Sequence, residues 1–153
     1  KKLMRLAEQD ASISIRIAAI DSLGILAESS SKVLGFLERF GQSPRAEIRY
    51  AAVQAVVGRS RNVRFFEKLI LGDDPEIRAA AVQGLIQVQS RASGRVFVSI
   101  LRNGSDPAIR IMAARALGHF GSDKSCRKAL ENAAKKDRNQ MVRAEAKKVL
   151  DAL

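Results

Sequence analysis

Few residues in this sequence have the types and spacing that catalysis requires. His119 is the only histidine and Cys126 the only cysteine, whereas a metal site needs several convergent ligands. Cys126 lies on the apolar stripe of its predicted helix, which indicates a buried, inert thiol rather than a nucleophile paired with His119. Asp73 and Asp74 precede Pro75, where the start of a helix accounts for both carboxylates. Because no phosphate-binding glycine loop is present either, we expect no catalytic residue, no cofactor and no metal.

The charge of the chain is its main compositional anomaly. The 153 residues include 27 Lys and Arg against 16 Asp and Glu, a formal net charge of +11, which suggests an acidic partner. A hydrophobic content of 46% excludes a disordered chain, and no apolar run approaches the ~18–20 residues of a membrane span. The absence of Trp and the single Tyr argue against an aromatic surface that stacks on bases.

One short phrase recurs five times and identifies the elements that must position the polar residues. Its arginines are Arg16, Arg49, Arg78, Arg110 and Arg143, at spacings of 33, 29, 32 and 33 residues. At offsets −1, +3 and +7 from each arginine come an aliphatic residue, an alanine, and a leucine or valine. These offsets lie on one face of a helix, and small alanines let neighbouring helices approach closely. The phrase therefore predicts a repeated amphipathic helix.

Another helix lies between successive phrases, since Val33, Phe36 and Phe40 follow helical spacing. It is the first helix of each pair, and the helix that carries the repeat arginine is the second. Gly-x-x-Pro turns recur as well, and in them we expect a left-handed glycine, a capping Ser or Asp, and proline in the first turn of the next helix. The sequence thus predicts an all-α fold, an α-solenoid of about five stacked antiparallel helix pairs. The predicted helices span residues 2–9, 12–28, 31–40, 45–59, 61–71, 75–89, 92–103, 107–120, 123–136 and 140–152. The single domain divides into repeats at 1–28, 31–59, 61–89, 92–121 and 123–153.

Two segments of the chain resemble a known family of helical repeats. D-P-E-I-R-A-A-A-V-Q-G-L and D-P-A-I-R-I-M-A-A-R-A-L-G are similar to HEAT repeats, specifically the short subtype of the phycobilisome lyases. The resemblance implies that an Asp before each second helix and the Arg inside it form a hydrogen-bonded ladder between neighbouring repeats. The implied ladder residues are Asp10, Arg16, Arg49, Asp74, Arg78, Asp106, Arg110, Asp137 and Arg143. Repeat two departs from the pattern, with Ser43 in place of the acid and two extra residues before Arg49.

Solenoids bind partners along extended surfaces, particularly the concave face lined by their second helices. Five residues after each repeat arginine, opposite the apolar stripe, the sequence places a mostly polar row, and one residue after the arginine come aliphatic or aromatic side chains. A polar row beside a few apolar anchors is typical of a peptide groove, although a solvated helix face gives the same pattern. The predicted groove residues are Ile17, Asp21, Tyr50, Gln54, Gln83, Ile111, Arg115 and Lys148.

The surplus positive charge is concentrated beyond residue 58. Residues 1–58 carry 8 basic and 6 acidic side chains, whereas residues 59–153 carry 19 and 10. Many of these cations recur near the predicted starts of first helices, where each opposes the helix dipole at a cost of typically ~0.3–1 kcal/mol. They predict a basic edge that binds a partner, with a solubilising face as the simpler reading. The edge residues are Arg59, Arg61, Arg64, Arg91, Arg95, Lys124, Arg127 and Lys128.

The function that the sequence favours is a non-catalytic binding scaffold, which presents the groove and the basic edge to a protein segment. The alternative is a nucleic-acid-binding array that contacts phosphates through the basic edge, as the resemblance to alkylpurine DNA glycosylases implies. A lower alternative, from the repeat subtype alone, is a phycobilin-lyase-like subunit or chaperone. Because the chain opens inside a helix without an initiator methionine, we expect an excerpt of a longer protein, cytoplasmic or in the cytoplasmic part of it.

Overall fold

Ten α-helices and two 3₁₀ turns make up the chain in the computed structural model, which describes residues 1–153 and contains no strand. The helices are α1 (Lys2–Gln9), α2 (Ile13–Leu26), α3 (Ser31–Phe40), α4 (Ala46–Val56), α5 (Val63–Ile70), α6 (Pro75–Val88), α7 (Arg91–Asn103), α8 (Pro107–Leu117), α9 (Lys124–Lys136) and α10 (Gln140–Asp151). The 3₁₀ turns, Ala27–Ser29 and Gly118–Phe120, follow α2 and α8 directly. The predicted all-α solenoid of helix pairs is confirmed.

Capping side chains explain where the helices with an acid-proline turn begin. Asp74 Oδ1 accepts two backbone N–H hydrogen bonds, at 3.0 and 3.1 Å, and Pro75 is the first residue of α6. Asp106 Oδ1 accepts one, at 2.8 Å, ahead of Pro107 in α8. The acids satisfy N–H groups that have no partner inside the helix, and proline has no N–H to satisfy. The predicted caps of these two turns are therefore confirmed.

The glycines of the Gly-x-x-Pro turns are not left-handed, so that part of the prediction is wrong. Gly41 and Gly104 have φ of −61° and −59°, and among glycines only Gly58 has a positive φ. A Cβ on Gly41 would lie 2.8 Å from the ring of Phe65, and one on Gly104 would lie 2.7 Å from the carbonyl oxygen of Ile100. The turns need glycine because neighbouring atoms approach closely, not because the backbone requires it.

The start of α4 also differs from the prediction. Arg45 is the N-cap residue of this helix and provides no side-chain cap. Ser43 Oγ accepts from the N–H of Arg45 at 3.3 Å, and Pro44 stays outside the helix. The two extra residues of repeat two separate its Ser-Pro pair from the helix, so this pair does not begin α4 as the acid-proline pairs begin α6 and α8.

The helices group into two compact units, residues 1–88 and residues 89–153. In the first unit, α1 to α6 form three antiparallel pairs, in which α2 packs against α4 and α4 against α6. In the second unit, α7 to α10 form two pairs, in which α7 packs against α9 and α8 against α10. Second helices thus lie side by side within each unit, as in stacked repeats.

The repeated offsets build the core of each unit. The alanine at +3 is buried in every repeat, namely Ala19, Ala52, Ala81, Ala113 and Ala146. The aliphatic residue at −1 is buried at Ile48, Ile77 and Val142, whereas Ile15 is 46% exposed. A Cβ on Gly24 of α2 would lie 3.1 Å from Cβ of Ala55 on α4, so small side chains at this crossing allow the second helices to pack closely.

Candidate binding surfaces

A buried ion pair joins the two repeats of the second unit. Arg110 on α8 is 2% exposed, and Asp137 in the α9–α10 turn is 8% exposed. Arg110 Nε and Nη2 donate to the two carboxylate oxygens of Asp137 at 3.0 and 2.9 Å, while Nη1 donates to the carbonyl oxygens of Gly104 and Ser105. Burial raises the pKa of Asp137, but hydrogen bonds from Arg110 and from the N–H of Asn139 outweigh burial and lower it overall. Each edge of the buried guanidinium therefore has a partner, as a buried charge requires.

The first unit contains the same ladder contact in a more open form. Arg49 Nη2 donates to Asp74 Oδ2 at 3.3 Å, and these side chains are 24% and 34% exposed. The N–H of Ile77 is the main reason why the pKa of Asp74 is lowered, and Arg49 adds to that effect. Repeat two therefore does take part in the ladder, through its arginine, although it lacks the acid.

The remaining ladder arginines donate to backbone oxygens. Arg16, whose following repeat has Ser43 in place of the acid, donates through Nε to the carbonyl oxygen of Ala7 at 2.8 Å. Arg78 donates to the carbonyl oxygens of two residues in its own repeat, at 3.2 and 2.8 Å. Arg143 donates to the carbonyl oxygen of Asp137 at 2.7 Å, and Asp10 accepts from a nearby N–H at 2.9 Å. These arginines join each second helix to the preceding first helix or to the turn between the two helices.

In the first unit, the predicted groove residues lie on the exposed sides of second helices. Asp21 on α2, Gln54 on α4 and Gln83 on α6 are exposed, and Ile17 is half-buried. Tyr50, one turn before Gln54, is 41% exposed and presents an amphipathic ring to solvent. We call these residues the second-helix row of the first unit, and Ile111, Arg115 and Lys148 the second-helix row of the second unit. Their role in binding stays a prediction.

In the second unit, the row contains an arginine that is fixed in place. Arg115 Nε and Nη2 donate to Glu145 Oε1 and Oε2 at 2.9 and 3.1 Å, from α8 to α10. Arg115 remains 65% exposed, whereas Glu145 is 15% exposed. Ile111, one turn earlier on α8, is half-buried, and Lys148 on α10 is exposed. Glu145 therefore orients an exposed guanidinium whose free Nη1 can donate to a partner's carboxylate or carbonyl oxygen.

Glu145 was not among the predicted site residues, although the sequence contains a signal for it. Arg115 lies five residues after the repeat arginine Arg110, and Glu145 lies two residues after Arg143. Because α8 and α10 pack side by side, the +5 position of one repeat faces the +2 position of the next. A comparison of offsets between adjacent repeats, rather than within one repeat, finds this pair.

The Arg115–Glu145 contact predicts a pH dependence of stability. Hydrogen bonds from Arg115 lower the pKa of Glu145 in the folded chain below its ordinary value of 4.5. Its contribution, about 0.2–1 kcal/mol for an exposed pair, is therefore complete above that value and is lost as pH falls through the lower folded pKa. We expect urea unfolding to show a stability deficit in Glu145→Gln at pH 7 that shrinks at about pH 3. A deficit that is unchanged by acid would contradict this account.

In the first unit, the predicted basic edge is partly neutralised. Arg59 is only 30% exposed and lies 3.4 Å from a carboxylate oxygen of Glu28. Arg59 Nη1 also donates to the carbonyl oxygen of Ala55, while its Nε is buried without a partner. Arg61 and Arg64 are exposed. Arg59 therefore belongs to the structure of its unit and is less available to a partner than its position in the sequence suggests.

In the second unit, three predicted edge residues meet at one cavity. Arg91 and Arg95 of α7 and Lys124 of α9 line a cavity of about 390 Å³. Its one carboxylate, Asp123, caps α9 by accepting two backbone N–H hydrogen bonds at 2.8 and 3.3 Å. Arg91 is 84% exposed and lies 4.0 Å from the other oxygen of Asp123. Arg127 and Lys128 are exposed further along α9.

The opposite end of the same two helices carries cations that were not among the predicted edge residues. Arg102 near the end of α7, Lys136 at the end of α9 and Arg138 in the following turn line a cavity of about 340 Å³. Cations in a last helical turn favour the helix dipole, so these residues lack the unfavourable dipole interaction that marks the cations at helix starts. Arg95 and Arg102 are two helical turns apart on the exposed side of α7, and this spacing indicates that Arg102 continues the basic edge.

Cys126, which borders the cavity of Arg91 and Lys124, is the most buried of the residues with possible catalytic side chains. Cys126 is 3% exposed, and burial raises the pKa of its thiol, so the thiolate that nucleophilic chemistry needs is disfavoured. Asp74 caps α6 and pairs with Arg49, while Asp73 is exposed. His119 is exposed in the second 3₁₀ turn. No group of three or more His, Cys, Asp or Glu side chains is placed to hold a metal ion.

A family model matches the chain over its third, fourth and fifth helix pairs. The model is described as HEAT repeats, and it matches residues 63–151, more than half of the sequence. The chain is a HEAT-repeat protein. The family inferred from the repeated phrase is thus confirmed, and the short lyase subtype stays a prediction. The match begins with α5, after the repeat whose turn departs from the common pattern.

Solved structures share the HEAT-repeat fold at low sequence identity. Two engineered proteins match 97% of this chain, with identities of 19% and 18% and TM-scores of 0.54 and 0.52; the matches cover 76% and 46% of those proteins. A HEAT-like repeats protein from the archaeon Thermococcus onnurineus NA1 matches 97% of this chain and 68% of its own, with 18% identity and a TM-score of 0.50. Likeness at this identity concerns the fold alone. No curated protein matches the sequence.

The length and apolar character of its helices decide whether this HEAT-repeat protein has a segment that could span a membrane. None of the helices combines the length and the apolar character that crossing a bilayer requires.

Proposed function

We propose that this HEAT-repeat chain is a non-catalytic scaffold that binds protein segments along the second-helix row of each unit. The observation that carries the proposal is the Arg115–Glu145 contact, in which a carboxylate holds an exposed arginine in one orientation. Binding costs the entropy of each side chain that it immobilises, about 0.5–1.5 kcal/mol. A preoriented arginine has lost part of that entropy before the partner arrives.

Two features of the second-helix row of the first unit also support a peptide as its partner. Tyr50 offers an exposed aromatic ring, and aromatic and arginine side chains carry most of the binding energy in protein interfaces. Gln54 and Gln83, both exposed, supply amide donors and acceptors that suit the backbone of an extended segment. These side chains project from helices that pack closely, so the surface needs little reorganisation on binding.

The non-catalytic part of the proposal rests on how the reactive groups are used. The single thiol, Cys126, is buried with a raised pKa. The carboxylate of Asp74 is occupied by helix capping and by Arg49. Covalent catalysis requires a nucleophile that is free to react and lies beside a base. Neither Cys126 nor Asp74 meets this requirement.

A peptide array followed by affinity measurements tests the protein-binding proposal. Peptides that bind the intact chain would be synthesised with a fluorophore and titrated with wild type and with Tyr50→Ala, Gln83→Ala and Arg115→Glu. We expect at least one variant to weaken binding about tenfold or more, since an interface anchor contributes roughly 2 kcal/mol or more. Glu145→Gln should weaken binding by less, because Arg115 keeps its charge and loses only its orientation.

Matched controls separate this surface from the rest of the chain. Leu71→Ala removes an apolar side chain that is 60% exposed at the end of α5, and Arg5→Glu reverses an exposed charge on α1. Both controls should leave the affinity unchanged. Array peptides whose affinity is the same in wild type and in all three row variants would overturn the proposal that the row binds them.

A further inference from the structure

The second unit contains many more basic side chains than its acidic side chains can neutralise. Residues 89–153 contain 14 basic and 6 acidic side chains, a net charge of +8 out of the +11 of the chain. Four of the acids are occupied by caps or ion pairs within the unit: Asp106, Asp123, Asp137 and Glu145. Of the cations that remain outside these ion pairs, Arg91 lies 4.0 Å from Asp123, and the other exposed Lys and Arg side chains form no ion pair within the unit.

Most of these cations lie in two rows on neighbouring first helices. We call them the cationic face: Arg91, Arg95 and Arg102 on α7, and Lys124, Arg127, Lys128, Lys135 and Lys136 on α9, all exposed. Because α7 packs against α9, the axes of the two helices that carry the rows lie about 8–10 Å apart, the usual distance between packed helices. Eleven residues separate the first and last cation of α7, which corresponds to about 17 Å of helix.

The cavities at the two ends of α7 and α9 show that the rows run in the same direction. One cavity brings Arg91 and Arg95 together with Lys124, at the starts of both helices. The other brings Arg102 together with Lys136, at the ends of both helices. The cations thus form two aligned rows rather than a scattered population.

From this arrangement, we propose that the cationic face binds the phosphate backbone of duplex nucleic acid, with each row contacting one strand. Phosphates follow each strand at about 3.4 Å along the duplex axis, and the grooves between strands are about 6 and about 12 Å wide. Two rows on helices about 8–10 Å apart, carried on long Lys and Arg side chains, can therefore meet both sides of a groove. Phosphate contacts of this kind give affinity without reading the base sequence.

The side chains that the face lacks distinguish a duplex from other anionic partners. The exposed large hydrophobic residues of this unit are Met141 and Leu153, and neither lies on α7 or α9. Single-stranded nucleic acid is bound through aromatic stacking, membrane surfaces through inserted apolar side chains, and protein segments through buried anchors. Aligned cations without apolar groups fit a regular polyanion.

The cations at the helix starts lower the stability of the folded chain, and a bound phosphate would offset this effect. Arg91 is the first residue of α7 and Lys124 the first residue of α9. A cation in the first turn opposes the helix dipole. A phosphate beside these residues would interact favourably with both the side chains and the N-terminal ends of the helices.

A salt titration of a short fluorescein-labelled DNA duplex, followed by anisotropy, tests the proposal on the intact chain. If the face makes about six phosphate contacts, the affinity should fall about 10³-fold between about 50 and about 200 mM salt. The double variant R91Q/R95Q should weaken binding and reduce the slope of log affinity against log salt by about two, and K124Q/K128Q should do the same. Circular dichroism would verify that each variant remains folded.

The matched control is R5Q/K32Q, which removes two exposed charges from α1 and α3 and should leave the slope unchanged. Equal effects of the control and of the face variants would overturn the proposal, because net charge alone would then account for binding. Failure to bind the duplex at about 50 mM salt would overturn it as well. So would tighter binding of polyglutamate, of single-stranded DNA or of phosphatidylserine vesicles than of the duplex under the same conditions.

Discussion

Replacement of Arg110 by methionine is expected to lower the free energy of unfolding by about 3–5 kcal/mol. The substitution keeps an unbranched side chain of similar length, but it leaves Asp137 ionised and nearly buried, with an exposed fraction of 8%. The carbonyl oxygens of Gly104 and Ser105 lose their donor at the same time. Removal of one partner of a buried ion pair is costly because the other charge stays without compensation.

The matched control is Arg49→Met, at the same position of the repeated phrase in the first unit. Arg49 and Asp74 are 24% and 34% exposed, so water can solvate the carboxylate that remains. We expect a loss of about 1–2 kcal/mol, from one exposed pair and from hydrogen bonds to backbone oxygens. Urea unfolding at pH 7 measures both variants, and equal losses would contradict the role of burial.

The pH dependence separates an uncompensated charge from a mere packing defect. Loss of Arg110 should raise the pKa of Asp137 from its lowered value, since burial favours the neutral acid, so protonation in acid would remove the unpaired charge. The stability deficit of Arg110→Met should therefore shrink as pH falls from 7 toward about 4. A deficit that stays constant over this range would indicate that lost packing, and not the buried carboxylate, is responsible.

These two ladder contacts illustrate what the sequence can and cannot predict. The resemblance to HEAT repeats implied a ladder that includes Arg49, Asp74, Arg110 and Asp137, and these residues form two ion pairs in the structure. It did not distinguish the buried pair from the open one, because burial depends on residues outside the phrase. Both pairs line cavities, of about 610 Å³ beside Arg49–Asp74 and about 340 Å³ beside Arg110–Asp137. Beside the buried pair, Arg138 also donates to the carbonyl oxygen of Ser105 at 2.9 Å.

Local features were predictable, whereas contacts between repeats outside the ladder were not. The burial of Ala52 and Ala113 and the capping by Asp106 depend on residues a few positions apart, and periodicity reveals them. The pairing of Arg115 with Glu145 and of Arg59 with Glu28 depends on how neighbouring helix pairs pack. No spacing within a single repeat specifies such a contact. For the candidate surfaces, the sequence therefore identified exposed positions but not which cations are already paired.

The sequence likewise does not distinguish two helical glycines whose surroundings differ, and their replacement by alanine should change stability by different amounts. Gly84 on α6 and Gly35 on α3 both occupy helix interiors, where alanine is intrinsically more stable by about 0.5–1 kcal/mol. A Cβ on Gly84 would overlap the ring of Phe66, with Cζ at 2.6 Å, whereas a Cβ on Gly35 would meet nothing within 4 Å. Phe66 is 0% exposed, so its ring has little room to move.

Gly84→Ala and Gly35→Ala should therefore change stability in opposite directions. Overpacking against a buried ring costs typically about 1–3 kcal/mol, which exceeds the intrinsic gain at Gly84, so we expect net destabilisation. Gly35→Ala should stabilise by about 0.5–1 kcal/mol. Thermal and urea unfolding measure both changes, and a stabilising Gly84→Ala would mean that α5 and α6 can separate without cost.

The cause of the Gly84 effect can be assigned by changing the residue that the new methyl group meets. Phe66→Leu alone should destabilise, since it removes buried aromatic volume. In the Gly84→Ala background the same change should cost less, because the smaller side chain makes room for the added Cβ. A double-mutant cycle measures this coupling, which for residues in contact is about 0.5–3 kcal/mol. Additive losses would instead place the strain in the backbone of α6, since the ring would then not be the group that resists the methyl.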